Sequence, residues 1–151
     1  MDNIEIYDMT LTDLEMISDK LLTDFDDFWK PEILRSELEN ENSNCIVAKI
    51  NDEIVGFAGI WKAVSDIHIT NIVVKKDYRM HGIGKKLLEK LIQISKTQDI
   101  NSITLEVNHK NIAAIELYSK YGFEQVGIRK NYYKGVDDAI IMTMEVTNEK
   151  K

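Results

Sequence analysis

Two hydrophobic periods alternate along the chain, and they predict its elements in order. Ile4-Glu5-Ile6-Tyr7 alternates apolar with polar and predicts a short first strand. Leu14, Ile17, Leu21 and Leu22 recur at helical spacing, which predicts a helix over about residues 13–23 with Thr12 as its cap. Pro31 stands where a helix can begin, and Ile33, Leu34 and Leu38 follow at helical spacing. Two apolar runs, Cys45–Ile50 and Ile54–Trp61, are joined by Asn51-Asp52-Glu53, a hairpin signal. Asp66–Val74 is a third run, rich in Ile and Val. The period then changes. Gly84, Leu87, Leu88, Leu91 and Ile92 recur at three and four, so a long helix spans about Gly82 to Lys96. Ser102–Val107 is a strand. Ile112–Tyr121 is a helix, capped by Asn111 and stopped by Gly122. Phe123–Arg129 and Ala139–Val146 are the last strands. Strands first, then strand–helix–strand–helix–strand–strand, predict an α/β (layered α+β) fold: a mixed sheet with helices on both faces.

Composition adds boundaries to this picture. A length of 151 residues suits one domain, here residues 1–147 with a short frayed tail at 148–151, and no repeat or linker interrupts it. Apolar residues make up 44% and charged residues 30%, ordinary for a globular protein. No apolar run approaches the roughly 20 residues that span a bilayer. The start Met-Asp-Asn-Ile-Glu has neither a basic stretch nor an apolar signal core, so the expected place of work is the cytoplasm, with no membrane partner. The single Cys45 has no disulfide partner within the chain, and its setting Asn-Cys-Ile-Val-Ala reads as a buried strand. The net charge of −7 argues against a nucleic-acid partner, which calls for clustered Lys and Arg. It suits a cationic substrate such as an amine or a basic peptide, although most such charges simply keep a surface solvated. A monomer or weak dimer is expected.

The sharpest local feature lies between the Asp66–Val74 strand and the long helix: Lys75-Lys76-Asp77-Tyr78, then Arg79-Met80-His81-Gly82-Ile83-Gly84. The two glycines lack Cβ, so the backbone can turn tightly and approach a ligand closely. Amides at a helix start have no partner within the helix, and with the helix dipole they suit a phosphate. Arg79, Lys85 and Lys86 add positive charge. Alone, a tight strand–helix turn that binds nothing would look the same. The third glycine and spaced acid of a dinucleotide fingerprint are missing, and so is the Gly-Lys-Ser/Thr of a P-loop.

With these residues in view, the chain resembles the GNAT acetyltransferases. Arg-x-x-Gly-x-Gly after a strand ending Asn71-Ile72-Val73-Val74 is similar to the signature of that family. The likeness continues through Leu105-Glu106-Val107-Asn108, Asn111 to Tyr118, Tyr121-Gly122-Phe123, Arg129-Lys130-Asn131-Tyr132-Tyr133 and Asp138 to Met142. This set resembles the ribosomal-protein-alanine N-acetyltransferase (RimI) branch. It is dense from about Ile69 to Met144, while the first 60 residues match only in element order. The resemblance implies a mostly antiparallel sheet of six or seven strands whose central pair splays apart around acetyl-CoA. It also implies cofactor contacts. Backbone groups of Ile72, Val73 and Val74 would pair with the pantetheine arm. The turn of Met80, His81, Gly82, Ile83, Gly84 and Lys85, with Arg79, would wrap the pyrophosphate, and the Asn111 side chain would touch the cofactor.

Amide formation needs a neutral amine, a polarised thioester and a stabilised leaving thiolate. A peptide α-amine, with a pKa of about 8, loses its proton more readily than a Lys amine at about 10.4. A carboxylate can take that proton, directly or through water. Glu106 sits mid-strand between Leu105 and Val107, an unusual place for a charge. A Glu on a solvated strand face would look the same, and the resemblance is what assigns it the role of base. Tyr118 lies in the following helix at a spacing that also suits simple packing with Ala114, Leu117 and Tyr121. The resemblance assigns its hydroxyl as the acid toward the thiolate. Amides near Val73 and Val74 would polarise the thioester carbonyl. His68, His81 and His109 are scattered and accompany no metal-ligand spacing, so no metal is expected. Cys45 is too embedded in apolar sequence to be a nucleophile, which favours direct attack by the amine.

Two aromatic clusters are candidates for the acceptor site: Phe25, Phe28 and Trp29 between the first two helices, and Tyr132 and Tyr133 in the loop before the last strand. Helix packing explains the first cluster as well. Asp137 and Asp138 could draw in a positive amine, or serve a solvated turn. The resemblance implies that the acceptor is a protein N-terminus, first of all the N-terminal alanine of a small ribosomal protein. A small amine or Lys side chain is the alternative, and a non-catalytic acetyl-CoA-binding module is the third reading.

Overall fold

A computed structural model describes residues 3–25 and 29–146. Phe28 and the expected tail at 148–151 lie outside the described residues. Seven strands form one sheet: β1 (Glu5–Asp8), β2 (Ser43–Ile50), β3 (Glu53–Ala63), β4 (Asp66–Val74), β5 (Ser102–Asn108), β6 (Glu124–Tyr133) and β7 (Asp137–Glu145). Their order across the sheet is β1-β2-β3-β4-β5-β7-β6. Every neighbouring pair is antiparallel except β4 and β5, which run parallel. The helices are α1 (Leu11–Ile17), α2 (Pro31–Glu39), α3 (Ile83–Lys96) and α4 (Ile112–Lys120). No helix among the described residues is long and apolar enough to cross a membrane.

The helices cover opposite faces. Leu87, Leu88 and Leu91 of α3 are fully buried against Ile46, Ala58, Ile67 and Ile103, and Tyr118 and Phe123 extend the same cluster. On the other face Leu14, Ile17, Leu21, Phe25 and Leu34 pack on Val47, Phe57 and Val73. Parallel strands need a crossover, and α3 supplies it between β4 and β5. The β2–β3 hairpin closes through Asn51 and Asp52, both at positive φ, the backbone that a two-residue turn between twisted strands requires.

Two expectations are corrected. The first helix is capped by Thr10 rather than Thr12. The Asp13 amide donates to Thr10 Oγ1 at 3.1 Å, and the Thr10 amide donates to Asp13 Oδ2 at 2.9 Å. Both threonines have an acid three residues on, Asp13 and Glu15, but only Thr10 takes the extended backbone of a cap, while Thr12 is already inside the helix. The helix also ends at Ile17; the backbone tightens over Ser18–Lys20 and widens over Leu21–Phe25, which keeps Leu21 and Phe25 buried. In the second correction, Tyr132 and Tyr133 are not in a loop. They end β6, with Tyr133 opposite Asp137 of β7.

The feature that positions the site is a divergence of β4 from β5. They pair only from Asp66 opposite Ser102 to Ile69 opposite Leu105. Beyond that point β4 stays with β3, as far as Val74 opposite Gly56, and β5 stays with β7, as far as Asn108 opposite Ala139. The break coincides with a bulge. Ile69 faces Ile60 and Asn71 faces Gly59, so Thr70 is the extra residue, and such an insertion bends the strand. It also switches the faces of β4: Ile67 and Ile69 join the α3 side, whereas Val73 joins the α1–α2 side.

Candidate active site

The divergence opens a cavity of about 650 Å³ between β4 and β5. Its walls include Ile72 and Val73 from β4, Glu106 and Asn108 from β5, Asn111 and Tyr118 from α4, and Trp29, Tyr132 and Tyr133. Side-chain alternation sorts these groups. Ile103, Leu105 and Val107 point into the α3 side, so Glu106 points to the opposite, α1–α2 side. Tyr118 approaches from the α3 side.

A second cavity, of about 360 Å³, lies at the start of α3. It is lined by Val74, Arg79, Met80, Gly82, Ile83, Gly84 and Lys85, and by Ala113, Ala114 and Leu117 of α4. Gly82 caps α3 at φ 84°, where a side chain is strained, and Met80 also takes positive φ and is 92% exposed. The first amides of α3 therefore open onto the cavity, as a phosphate site requires. A Cβ on Gly84 would meet nothing closer than Val74 Cγ2 at 3.7 Å. The protein's own packing thus leaves room there, and the bare backbone suits the close approach of a diphosphate. His81 and Lys85 are exposed beside it. Arg79 is partly engaged: its Nε donates to Val74 O at 3.0 Å and its Nη2 to Phe25 O at 2.7 Å, tying the end of β4 to the α1–α2 segment.

Glu106 is half-buried and paired, its Oε2 lying 2.7 Å from Arg129 Nε. Arg129 also stacks 5.0 Å from the Tyr132 ring. The Tyr132 phenol is pushed up by burial and by the Glu106 charge, while Arg129 pulls it the other way. The rings of Tyr132 and Tyr133 meet edge-on, with centroids 5.0 Å apart. Tyr118 packs edge-on against Phe123, and burial pushes its phenol up to about 12. It therefore keeps its proton throughout the working range. Asn111 caps α4 by accepting from the Ala114 amide at 3.1 Å, which leaves its side-chain NH₂ for other partners.

Of the other side chains named from the sequence, Asp137 lines the larger cavity with charged and polar partners of its own. Asp137 accepts from Asn108 Nδ2 at 3.2 Å and pairs with Lys110 at 3.1 Å, and these partners hold it below the usual carboxylate range. Asp138 accepts from the Asn131 amide at 2.9 Å. Burial pushes the Cys45 thiol up to about 12, so the nucleophilic thiolate is suppressed. Among the described residues no cluster of His, Cys, Asp and Glu could hold a metal.

Sequence reasoning passed over Glu37. Its Oε1 accepts from Thr70 Oγ1 and Asn71 Nδ2, both at 3.1 Å, and its carboxylate lines the larger cavity. A signal was present: Glu37 follows Leu34 by three and precedes Leu38 by one, so a charge stands on the apolar face of α2.

Residues 14–123 match the Acetyltransferase (GNAT) family. A Bacillus subtilis protein, provisionally assigned as a ribosomal protein bS18-alanine N-acetyltransferase, is 32% identical over 143 residues, covering 93% of this chain and 95% of its own. The ribosomal protein bS18-alanine N-acetyltransferase of Salmonella typhimurium is 37% identical over 100 residues, 64% of this chain and 68% of its own. The crystal structure of the Escherichia coli ribosomal-protein-S18-alanine N-acetyltransferase superposes with a TM-score of 0.86 at 30% identity, covering 99% of both chains. A GNAT acetyltransferase from Elizabethkingia anophelis, solved with acetyl-CoA bound, has a TM-score of 0.73 at 27% identity over 97% of this chain and 100% of its own.

Proposed function

The chain belongs to the GNAT acetyltransferase family, and we propose that it acetylates a protein N-terminal amine, first of all the N-terminal alanine of a small ribosomal protein. It is an N-acetyltransferase, and its family uses acetyl-CoA. The observation that carries the proposal is the two-sided cleft. The α3 amides and Tyr118 approach it from one face of the sheet, and Glu106 with its aromatic neighbours approaches it from the other. Two reactants can then meet in the gap without sharing an entrance. The N-terminal acceptor is supported by relatives whose names specify bS18-alanine N-acetylation. The expected setting is the cytoplasm.

Acetyl-CoA supplies the activated acetyl thioester. The amides of Ile83, Gly84 and Lys85 hold the pyrophosphate, with Met80, His81 and Gly82 forming the turn around it. The β4 edge at Ile72, Val73 and Val74, unpaired on its β5 side, binds the extended arm by backbone hydrogen bonds. Asn111 adds a side-chain contact. Arg79 fixes the turn through Nε and Nη2, which are bound to backbone carbonyls, and its Nη1 donors remain for the pyrophosphate. Glu106, aimed by Arg129, takes the amine's proton directly or through water. The Tyr118 hydroxyl donates a hydrogen bond to the departing sulfur. Full transfer from a phenol near 12 to a thiolate whose acid is near 8.5 is uphill, so stabilisation by that hydrogen bond is its main contribution. Trp29, Tyr132 and Tyr133 frame the acceptor's first residues.

An acceptor panel tests this. Alanine-starting peptides, blocked Lys peptides and polyamines are each incubated with acetyl-CoA while thiol release is followed. The alanine peptides are expected to be preferred by 10-fold or more in kcat/KM, on the order of a single pocket's discrimination. Turnover confined to polyamines or Lys peptides overturns the acceptor.

A further inference from the structure

Building on the acetyl-transfer reading above, we propose that Glu37 is an ammonium-docking carboxylate, which binds the charged amine of the incoming acceptor and presents it to Glu106. Glu37 lies on α2, turned toward the β4 bulge on the α1–α2 side of the sheet, the side to which Glu106 also points. Thr70 and Asn71 donate to a single oxygen, Oε1, and the Cys45 thiol lies 4.0 Å from the same atom. These donors are neutral. Among the described residues no Lys or Arg pairs with Glu37, whereas Asp13 has Lys49, Glu53 has Lys75, Glu106 has Arg129 and Asp137 has Lys110. Beside it, Asn71 Oδ1 is buried with no hydrogen-bond partner. The cluster therefore holds more acceptors than donors, and it carries a withdrawn negative charge with no counter-ion. Both are costly unless something completes them. A primary ammonium supplies three N–H donors and the missing charge.

The setting agrees. Glu37 shares the walls of the larger cavity with Trp29, Glu106 and Tyr132. Burial pushes Glu37 up, and the bonds from Thr70 and Asn71 offset only part of that. Across the same cavity stand Lys134 and Asp137, the latter paired with Lys110. β2 offers Cys45, a neutral thiol at working pH, and α1 turns its Asp13 toward Lys49. His68 of β4 lines the same cavity. A purely structural role, propping the bulge, is the competing account, and it predicts different binding.

The test uses the full chain saturated with CoA, so that nothing turns over. Binding of an alanine-starting peptide and of its des-amino counterpart is measured for the wild type, Glu37→Gln and Glu37→Asp by calorimetry. Gln retains an oxygen for Thr70, and Asp retains the charge. At pH 7, Glu37→Gln is expected to weaken the alanine peptide by about 10- to 100-fold and leave the des-amino peptide unchanged, as loss of a desolvated charge partner does. Glu37→Asp recovers part of the loss. The difference shrinks above about pH 8, where the α-amine sheds its proton. An equal loss for both peptides, or no loss for either, overturns the docking role. If the wild type acetylates only the blocked Lys peptide, it is the acceptor assignment above that falls. The Glu37 comparison is then made on that peptide against its norleucine counterpart, with the same two outcomes.

Discussion

At the scale of single residues, chemistry visible in the sequence was rearranged by its neighbours. Glu106 stood out as a charge within an apolar strand, but nothing in the order of residues pointed to Arg129, which lies on β6 two strands away across β7. Glu106→Gln should lower kcat by about 100-fold, the usual scale of a general base, while the affinity for acetyl-CoA stays at the wild-type value. Steady-state kinetics with an alanine peptide and a separate titration of acetyl-CoA check both halves. Tyr118→Phe removes one hydroxyl and keeps the ring packed on Phe123. Its kcat should fall by about 10-fold or more, with stability held within about 1 kcal/mol in urea unfolding. A full kcat with the Phe variant would remove Tyr118 from the mechanism.

At the scale of elements, boundaries were legible wherever a local signal was complete. The Ile and Val run marks β4 at Asp66–Val74, and Asn111 and Gly122 bracket α4 as read from the sequence. The first helix was misread because its end is decided by packing: the chain narrows and widens after Ile17 to bury Leu21 and Phe25, and no propensity announces that. Its true cap gives a direct prediction. Thr10→Ala should cost about 1 kcal/mol in urea unfolding, whereas Thr12→Ala, outside the cap, should cost far less. In α3, Gly82 is needed for its φ of 84°, since a Cβ there would meet no atom within 4 Å. Gly82→Ala should destabilise by about 1–2 kcal/mol through backbone strain and weaken acetyl-CoA binding by displacing the turn, both read by thermal shift with and without ligand.

At the scale of the whole molecule, burial of Glu37 ties stability to pH. Its folded-state pKa lies above the ordinary value of 4.5, so over the window between the two the folded protein holds a proton that the unfolded chain has lost. Stability from this group therefore falls as pH rises through that window, and the penalty is complete above it. Glu37→Gln has no such proton, so the variant should gain stability relative to the wild type between pH 4 and pH 7. Urea unfolding of both proteins at the two pH values measures the difference. A constant gap would show that Glu37 titrates alike folded and unfolded.

The sequence by itself determined the order of elements, the helix-start turn from Arg79 to Gly84 and the placing of Glu106 and Tyr118 one element apart. These rest on local physics, because periodicity, capping and glycine freedom act within a few residues. The tertiary structure alone decided where β4 leaves β5, which face each side chain takes after the bulge at Thr70, and which acids keep a cation. Those outcomes depend on strands far apart in sequence competing for the same hydrogen bonds, and on how deeply a carboxylate such as Glu37 is withdrawn from water. No window of neighbouring residues contains either quantity.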